Sequence, residues 1–381
     1  MNRRDFLRIA GISSAALFAS PYISFAAANT DRRFIFIIQR GAADGLNTVI
    51  PYADPAYAKL RGAIAIDVAN ATKLNGMFAL HPALVETAKM YSAGQALFTH
   101  AVASPYRERS HFDAQNVLET GGTAPYQTKD GWMNRLLTLL PNHKNEAIAF
   151  ASTIPMALRG KIEVSSYATS RLPEASDDLM LRVSQLYAED AQLNSAWTAA
   201  MDTNNMAEDA GTKQDPASLG KLAASFLANP TGPRIAMIET SGWDTHSAQD
   251  RRLATQLKSL DTLLAALRDG LGDTWQKTTV LVATEFGRTA AANGTGGTDH
   301  GTGASAMILG GDVNGGRVIA DWPGLNQSNL YEGRDLKPTL NLDALIASLT
   351  SASFGLAPEQ VNRTLFPDAI IGKPLEGLIR N

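Results

Sequence analysis

The chain contains no cysteine among its 381 residues, so no disulfide can hold it and its stability has to come from burial. It also lacks a dominant charge. A formal net charge of -3 with both signs interspersed leaves no basic stripe for a polyanion, which excludes nucleic acid as a partner. Beyond the N-terminal region no stretch approaches the roughly 20 predominantly apolar residues of a spanning helix, so no membrane span is expected in the mature protein. Internal repeats are missing, and the one biased tract is the Gly/Thr-rich loop from Ala290 to Gly303. Loops of that length are often functional.

What is present begins with an export address. Arg3-Arg4-Asp5-Phe6-Leu7-Arg8 precedes an uncharged segment from Ile9 to Phe25 and the small residues Ala26-Ala27-Ala28, the three parts of a bacterial signal peptide. Gly11, Ser13, Ser14, Ser20 and Pro21 interrupt the apolar segment, which argues for a cleaved signal over an anchor. The paired arginines followed by Phe6-Leu7 resemble the twin-arginine signal, making that export machinery a partner and the periplasm the destination. Cleavage is expected after Ala28, with Ala26 the alternative. A mature chain of about 350 residues is long enough to bury a large core.

Arg33 to Ile38 is a continuous apolar run, as are Ala96 to Val102, Arg234 to Ile238, Thr279 to Ala283 and Ala306 to Leu309. Runs without alternation suit strands covered on both faces. Between them lie helical patterns, the clearest from Asp250 to Leu271, where Leu253, Leu257, Leu260, Leu264, Leu267 and Leu271 recur at spacings of three and four. The expected fold is a single α/β domain over residues 29–381, a mainly parallel sheet flanked by helices. Residues of about 173–228 are polar and helix-favouring, and read as a helical insertion on that domain.

Ligands of open α/β sheets bind beyond the carboxyl ends of the strands, and chemistry-bearing residues gather there. Asp44, Asp244, His246, Glu285, Asp299 and His300 would make a mixed oxygen and nitrogen site for divalent metal, zinc, manganese or calcium, and six ligands are consistent with two ions. Four have a structural alternative: Asp44 a turn, Asp244 and His246 a helix cap, Glu285 a salt bridge to Arg288; nothing structural demands both Asp299 and His300 in a glycine loop. Ser110 stands where a helix running to about Glu119 begins, suiting it either to attack an ester or to cap the helix. Arg107 and Arg109 suit an anionic group, and His111 is a further ligand or base. His81 and His100 read as structural and His143 as solvated. Gly301-Thr302-Gly303-Ala304-Ser305-Ala306 fits a dinucleotide pattern, but a strand follows where that pattern needs a helix.

The signal, Gly-Ala-Ala-Asp-Gly-Leu-Asn at 41–47, Arg-Ser-His-Phe-Asp at 109–113, Gly-Trp-Asp-Thr-His at 242–246, Thr-Glu-Phe-Gly-Arg-Thr at 284–289 and Asp-His-Gly at 299–301 together resemble an exported bacterial family, domain of unknown function 1501. That family is similar to the alkaline phosphatase and sulfatase superfamily. The resemblance covers nearly the whole mature chain. It implies an alkaline-phosphatase-like fold, Asp44, Asp244, His246, Glu285, Asp299 and His300 as metal ligands, and Ser110 as nucleophile in a phosphate or sulfate ester hydrolase. Phe286 stands where such phosphatases carry a ligand histidine, the spacing from Asp244 to His246 is tighter than usual, and a cysteine-derived formylglycine is excluded. The alternative is a non-catalytic binding protein of the cell envelope with the same fold.

Replacing Arg3 and Arg4 together by lysine is expected to leave full-length precursor inside the cell, as read by fractionation and intact mass. Unchanged yield of processed periplasmic protein would reject twin-arginine dependence.

Overall fold

The computed structural model describes residues 31–141, 146–168, 177–190, 192–198, 215–372 and 374–380. The signal segment and His143 lie outside them. Its centre is a nine-stranded sheet. The strands are β1 (Arg33–Gln39), β5 (Ala96–Ala103), β6 (Ala147–Phe150), β7 (Ser165–Ser166), β8 (Ile235–Thr240), β9 (Thr278–Thr284), β10 (Ala304–Leu309), β11 (Arg317–Ile319) and β12 (Leu340–Asn341). A small separate sheet holds β2 (Val49–Ile50), β3 (Thr72–Lys73) and β4 (Ala79–Leu80). Eight main strands run in the order β11-β5-β10-β9-β1-β8-β6-β7, and β12 pairs with β5. Within the main sheet all pairings are parallel except the two made by β10, whereas those of the small sheet are antiparallel.

The apolar runs become strands because both of their faces are covered. Along β1, Ile35 and Ile37 enter one core cluster while Phe34, Phe36 and Ile38 enter the other. Val280 and Val282 of β9 face the first cluster, Leu281 and Ala283 the second. With side chains alternating at period two, a strand sandwiched between layers turns both sets of side chains into a core, so apolar residues fill most of its positions. The helices Gln249–Leu271 and Pro216–Ala228 cover one face; Trp132–Leu137, Leu342–Phe354 and Pro358–Leu365 cover the other. All six leucines of the Gln249–Leu271 stripe are buried, each worth about 2 kcal/mol.

Within the stretch of about 173–228 that reads as a helical insertion, the C-terminal part is a helix packed on the sheet. Asp215 caps the Pro216–Ala228 helix through Ala217 and Ser218 N–H, and Leu222, Ala223, Phe226 and Leu227 are buried in the core over the sheet. Its Gly220 lies so close to the long helix that an added Cβ would stand 2.5 Å from Leu263 O. That helix is part of the layer covering the sheet. Asp177–Tyr187 is also helical, whereas 169–176 and 199–214 lie outside the described residues. Among the described residues no helix is long and apolar enough to cross a membrane.

The loop after β1 is pinned by a buried carboxylate. Asp44 caps the Gly45–Thr48 turn through Leu46 and Asn47 N–H, and Arg61 grips both its oxygens at 2.6 and 2.9 Å. The pair is essentially inaccessible, at 0% and 1% side-chain exposure. Gln249 Nε2, at the start of the long helix, donates to the same carboxylate, and its Oε1 accepts from Thr245 and Thr298. Asp44→Asn is therefore expected to cost about 3–5 kcal/mol, because it leaves the Arg61 cation buried without its counter-charge. Denaturant unfolding measures that loss, and metal content per folded molecule is expected to stay at the wild-type level. Loss of metal with stability intact would restore Asp44 as a ligand.

Candidate metal centre

Five adjacent strands deliver the functional side chains to one edge of the sheet. His111 follows β5, Glu285 and Arg288 follow β9, Gly41 follows β1, and Asp244 and His246 follow β8. His300 arrives differently. Because β10 runs against its neighbours, its amino end lies at their carboxyl edge, so the loop leading into Ala304 places His300 beside the others. Arg288 and His300 pair as an isolated antiparallel bridge, which sets the loop after β9 against the loop before β10.

Three imidazoles meet at this edge. His300 Nε2 stands 3.0 Å from His111 Nε2 and 3.0 Å from His246 Nε2. Asp244 adds a carboxylate, with Oδ1 at 3.0 Å from His246 Nε2 and 3.4 Å from His300 Nε2, and Oδ2 at 3.6 Å from His111 Nε2. Ligand atoms of His111, Asp244 and His300 all lie within 4.8 Å of one another.

The opposite ring nitrogens settle two of the tautomers. His111 Nδ1 faces Glu285 Oε1 at 2.8 Å, His246 Nδ1 faces Asp299 Oδ1 at 3.2 Å, and His300 Nδ1 faces the Arg109 carbonyl at 3.0 Å. Ionised carboxylates and carbonyls only accept, so Nδ1 carries the proton in His111 and His300, while His246 has an acceptor at each nitrogen, Asp299 at Nδ1 and Asp244 at Nε2. With His111 and His300 neutral, their Nε2 lone pairs face each other at 3.0 Å, a contact that is repulsive unless a cation lies beside them. Histidines bound to metals show this pattern, one nitrogen on the ion and the other N–H on a carboxylate or carbonyl. Neighbouring nitrogens of a tetrahedral zinc shell are roughly 3.3 Å apart for Zn–N of about 2.0–2.1 Å. The residues fit a divalent ion.

Electrostatics keep the carboxylates at this edge ionised. Burial opposes ionisation of Asp244, but the charges of Arg288 and His246 overcome it and hold the carboxyl below its ordinary range. Burial likewise opposes ionisation of Glu285, and hydrogen bonds from His111, Gln115 and the Gly41 N–H reverse the balance. Its bond to Glu285 raises His111, while burial and the neighbouring His111 lower His300. Asp299 is lowered first by its hydrogen bond from Asn293. Gly41 has φ +119°, and an added Cβ would lie 2.6 Å from Asp244 N, so only glycine lets this loop reach both Glu285 and the Asp244 backbone.

The residues expected at the site divide into groups. Asp244, His246 and His300 converge with His111, which the sequence offered as ligand or base. Glu285 and Asp299 stand behind His111 and His246, where they orient rings. Glu285 makes no ion pair with Arg288; Arg288 pairs with Asp244 at 2.7 Å instead. Asp44 is set apart in its bond with Arg61.

Arg109 is also engaged elsewhere. Its guanidinium binds Asp335 and Glu332, and its φ of +61° turns its carbonyl onto His300. Arg107 donates to the Ser104 and Tyr106 carbonyls, so neither arginine reaches toward the cluster as an anion clamp. Ser110 occupies the N-cap position of the His111–Thr120 helix without any side-chain capping bond. Burial keeps His81 and His100 neutral, each pushed down to about 4, and His100 Nε2 bonds the Val49 carbonyl. Arg61, Gln249, Gln115 and Asn293 escaped the sequence reading because each acts through a contact between distant loops. Only the position of Gln249 at the start of the leucine-rich helix hinted at a role.

No curated protein matches the chain significantly in sequence. Among solved structures it is similar to the C-terminal periplasmic domain of EcEptC from Escherichia coli in complex with Zn, at 10% identity over 94% of each chain and a TM-score of 0.44. A protein in the alkaline phosphatase superfamily from Vibrio parahaemolyticus matches at 10% identity over 85% of this chain and 66% of that one, TM-score 0.43. The lipoteichoic acid synthase LtaP from Listeria monocytogenes matches at 12% identity over 79% and 71%, TM-score 0.41. A family model described as protein of unknown function (DUF1501) matches residues 31–365, and the chain belongs to that family.

Proposed function

We propose that the protein is an exported, metal-dependent hydrolase of phosphate or sulfate esters, with His111, Asp244, His246 and His300 holding the metal. The observation that carries the reading is the convergence of the His111, His246 and His300 Nε2 atoms with the Asp244 carboxylate, each ring backed by an acceptor at Nδ1. An imidazole-rich set with one carboxylate suits zinc or manganese and does not suit calcium, which takes six to eight oxygens. The ester class comes from the resemblance of the motifs to the alkaline phosphatase and sulfatase superfamily. A divalent ion in this set supplies Lewis-acid polarisation of an ester oxygen.

Ser110 is the attacking group in this reading. It lies between Arg109, whose carbonyl holds His300, and His111, so its backbone is fixed on both sides by the cluster. Its Oγ makes no capping bond, and it starts a helix of ten residues whose first-turn N–H groups and dipole favour an anion. Attack by Oγ on phosphorus or sulfur forms one ester bond and breaks that to the leaving group, the hydroxyl proton ending on the leaving alcohol, and water then hydrolyses the seryl ester, returning a proton to Oγ and releasing the acid. Glu285 and the Arg109 carbonyl keep His111 and His300 in the Nδ1–H tautomer throughout.

Protein purified with zinc or manganese is expected to hold stoichiometric metal by elemental analysis. Glu285→Gln should weaken binding about 10–100-fold, as loss of an orienting partner does. If wild type holds no metal after supplementation, the hydrolase reading fails. Metal without turnover of aryl phosphates, phosphodiesters or sulfate esters favours the envelope binding protein.

Ser110→Ala should leave stability within about 0.5 kcal/mol of wild type, because no capping bond is lost, yet lower turnover by orders of magnitude. Unchanged turnover in this variant would assign the attack to water.

A further inference from the structure

The geometry points to Arg288 as the site's second cation, built into the chain, so that His111, Asp244, His246 and His300 hold a single divalent ion. This rests on the reading of the cluster as a metal site and adds its count and charge balance. Arg288 is 1% exposed and its side chain is fully enclosed. A guanidinium stays charged in proteins, so its burial brings a permanent positive charge under the site.

Hydrogen bonding does not account for its position. Nη2 donates to Asp244 Oδ1 at 2.7 Å and only distantly, at 3.5 Å, to the Trp243 carbonyl. Nε and Nη1 are buried with no partner among the described residues. Arg61 nearby shows the contrast, gripping Asp44 with two nitrogens. What Arg288 contributes is its charge, and the anions around it are the ones a second metal ion would need: Asp244 touches it, and Asp44 and Glu285 are near enough to stabilise it.

Arg288 donates to Asp244 Oδ1, the oxygen that also faces His246 and His300, while Oδ2 is turned toward His111, so the one carboxylate joins the guanidinium to all three rings. The backbone bridge between Arg288 and His300 fixes the guanidinium relative to a ring of the cluster. One divalent ion plus Arg288 balances the three carboxylates Asp244, Glu285 and Asp299, whereas another divalent ion would meet a like charge already seated on Asp244.

The test uses chelator-stripped full-length mature protein titrated with zinc ions by calorimetry, with the count read by native mass spectrometry. Wild type and Arg288→Lys should each take one zinc per chain at saturation. Arg288→Gln, polar but shorter and neutral, should either take a second zinc or bind the first at least tenfold more tightly than Arg288→Lys. Thermal melts of the metal-free proteins establish that both variants are folded, and the wild-type count stands even if one is not. Two zinc ions in wild type overturn the proposal while leaving the hydrolase reading intact. Equal count and affinity in the Lys and Gln variants also overturn it, since charge would then have no effect. No zinc in wild type overturns both.

Discussion

The site depends on the buried carboxylate of Asp44. Through Arg61 and Gln249 it joins the loop after β1 to the start of the long leucine-rich helix. Gln249 in turn binds Thr245, between Asp244 and His246, and Thr298, just before Asp299 and His300. Three loops far apart in sequence therefore meet at one inaccessible ion pair. A buried pair is not in itself a strong source of stability, but breaking it strands a charge, which makes its geometry hard to relax. That rigidity lets side chains on loops hold positions relative to one another.

Above this knot the histidines face a different constraint. Imidazole rings on neighbouring loops would normally turn apart to avoid lone-pair contact. Here each is prevented from turning by the acceptor at its Nδ1, and the acceptors are held in their own right. Glu285 is fixed by Gly41 N–H, Gln115 and Thr284, and Asp299 by Asn293. The chain meets the repulsion between the His111 and His300 nitrogens with structure behind every ring, which is the arrangement expected of a preorganised cation site.

Much of this was legible in the sequence. The strand runs, the leucine stripe of the long helix and the helix beginning at Ser110 carry strong local periodicity or position signals, and the structure has them within a residue or two. The gathering of Asp244, His246 and Glu285 at one edge followed from their places after strands, and that of Asp299 and His300 from the long loop beyond Glu285. Roles were harder to read. Asp44 and Glu285 are both carboxylates in short motifs after strands, yet one binds Arg61 and the other His111, and the partners lie 17 residues away in one case and 174 in the other. Nothing local distinguishes a ligand from the residue that orients it. The antiparallel sense of β10 was equally hidden, since the run Ala304–Leu309 is as apolar as its parallel neighbours.

That one reversed strand has a chemical consequence. Parallel strands can present only residues that follow them, and His111, Asp244 and His246 all do. His300 precedes its strand, so its loop approaches the edge from the opposite direction and its ring can stand between His111 and His246, touching both. Beneath it Glu285, Arg288 and Asp44 are closed to solvent, while Asp244 and His246 remain partly exposed. Among the described residues the cluster therefore meets solvent on the side of Asp244 and His246. The floor, sealed and charged in fixed places, determines how the rim residues point, which is why the reactive character of the partly open side depends on residues that no ligand touches.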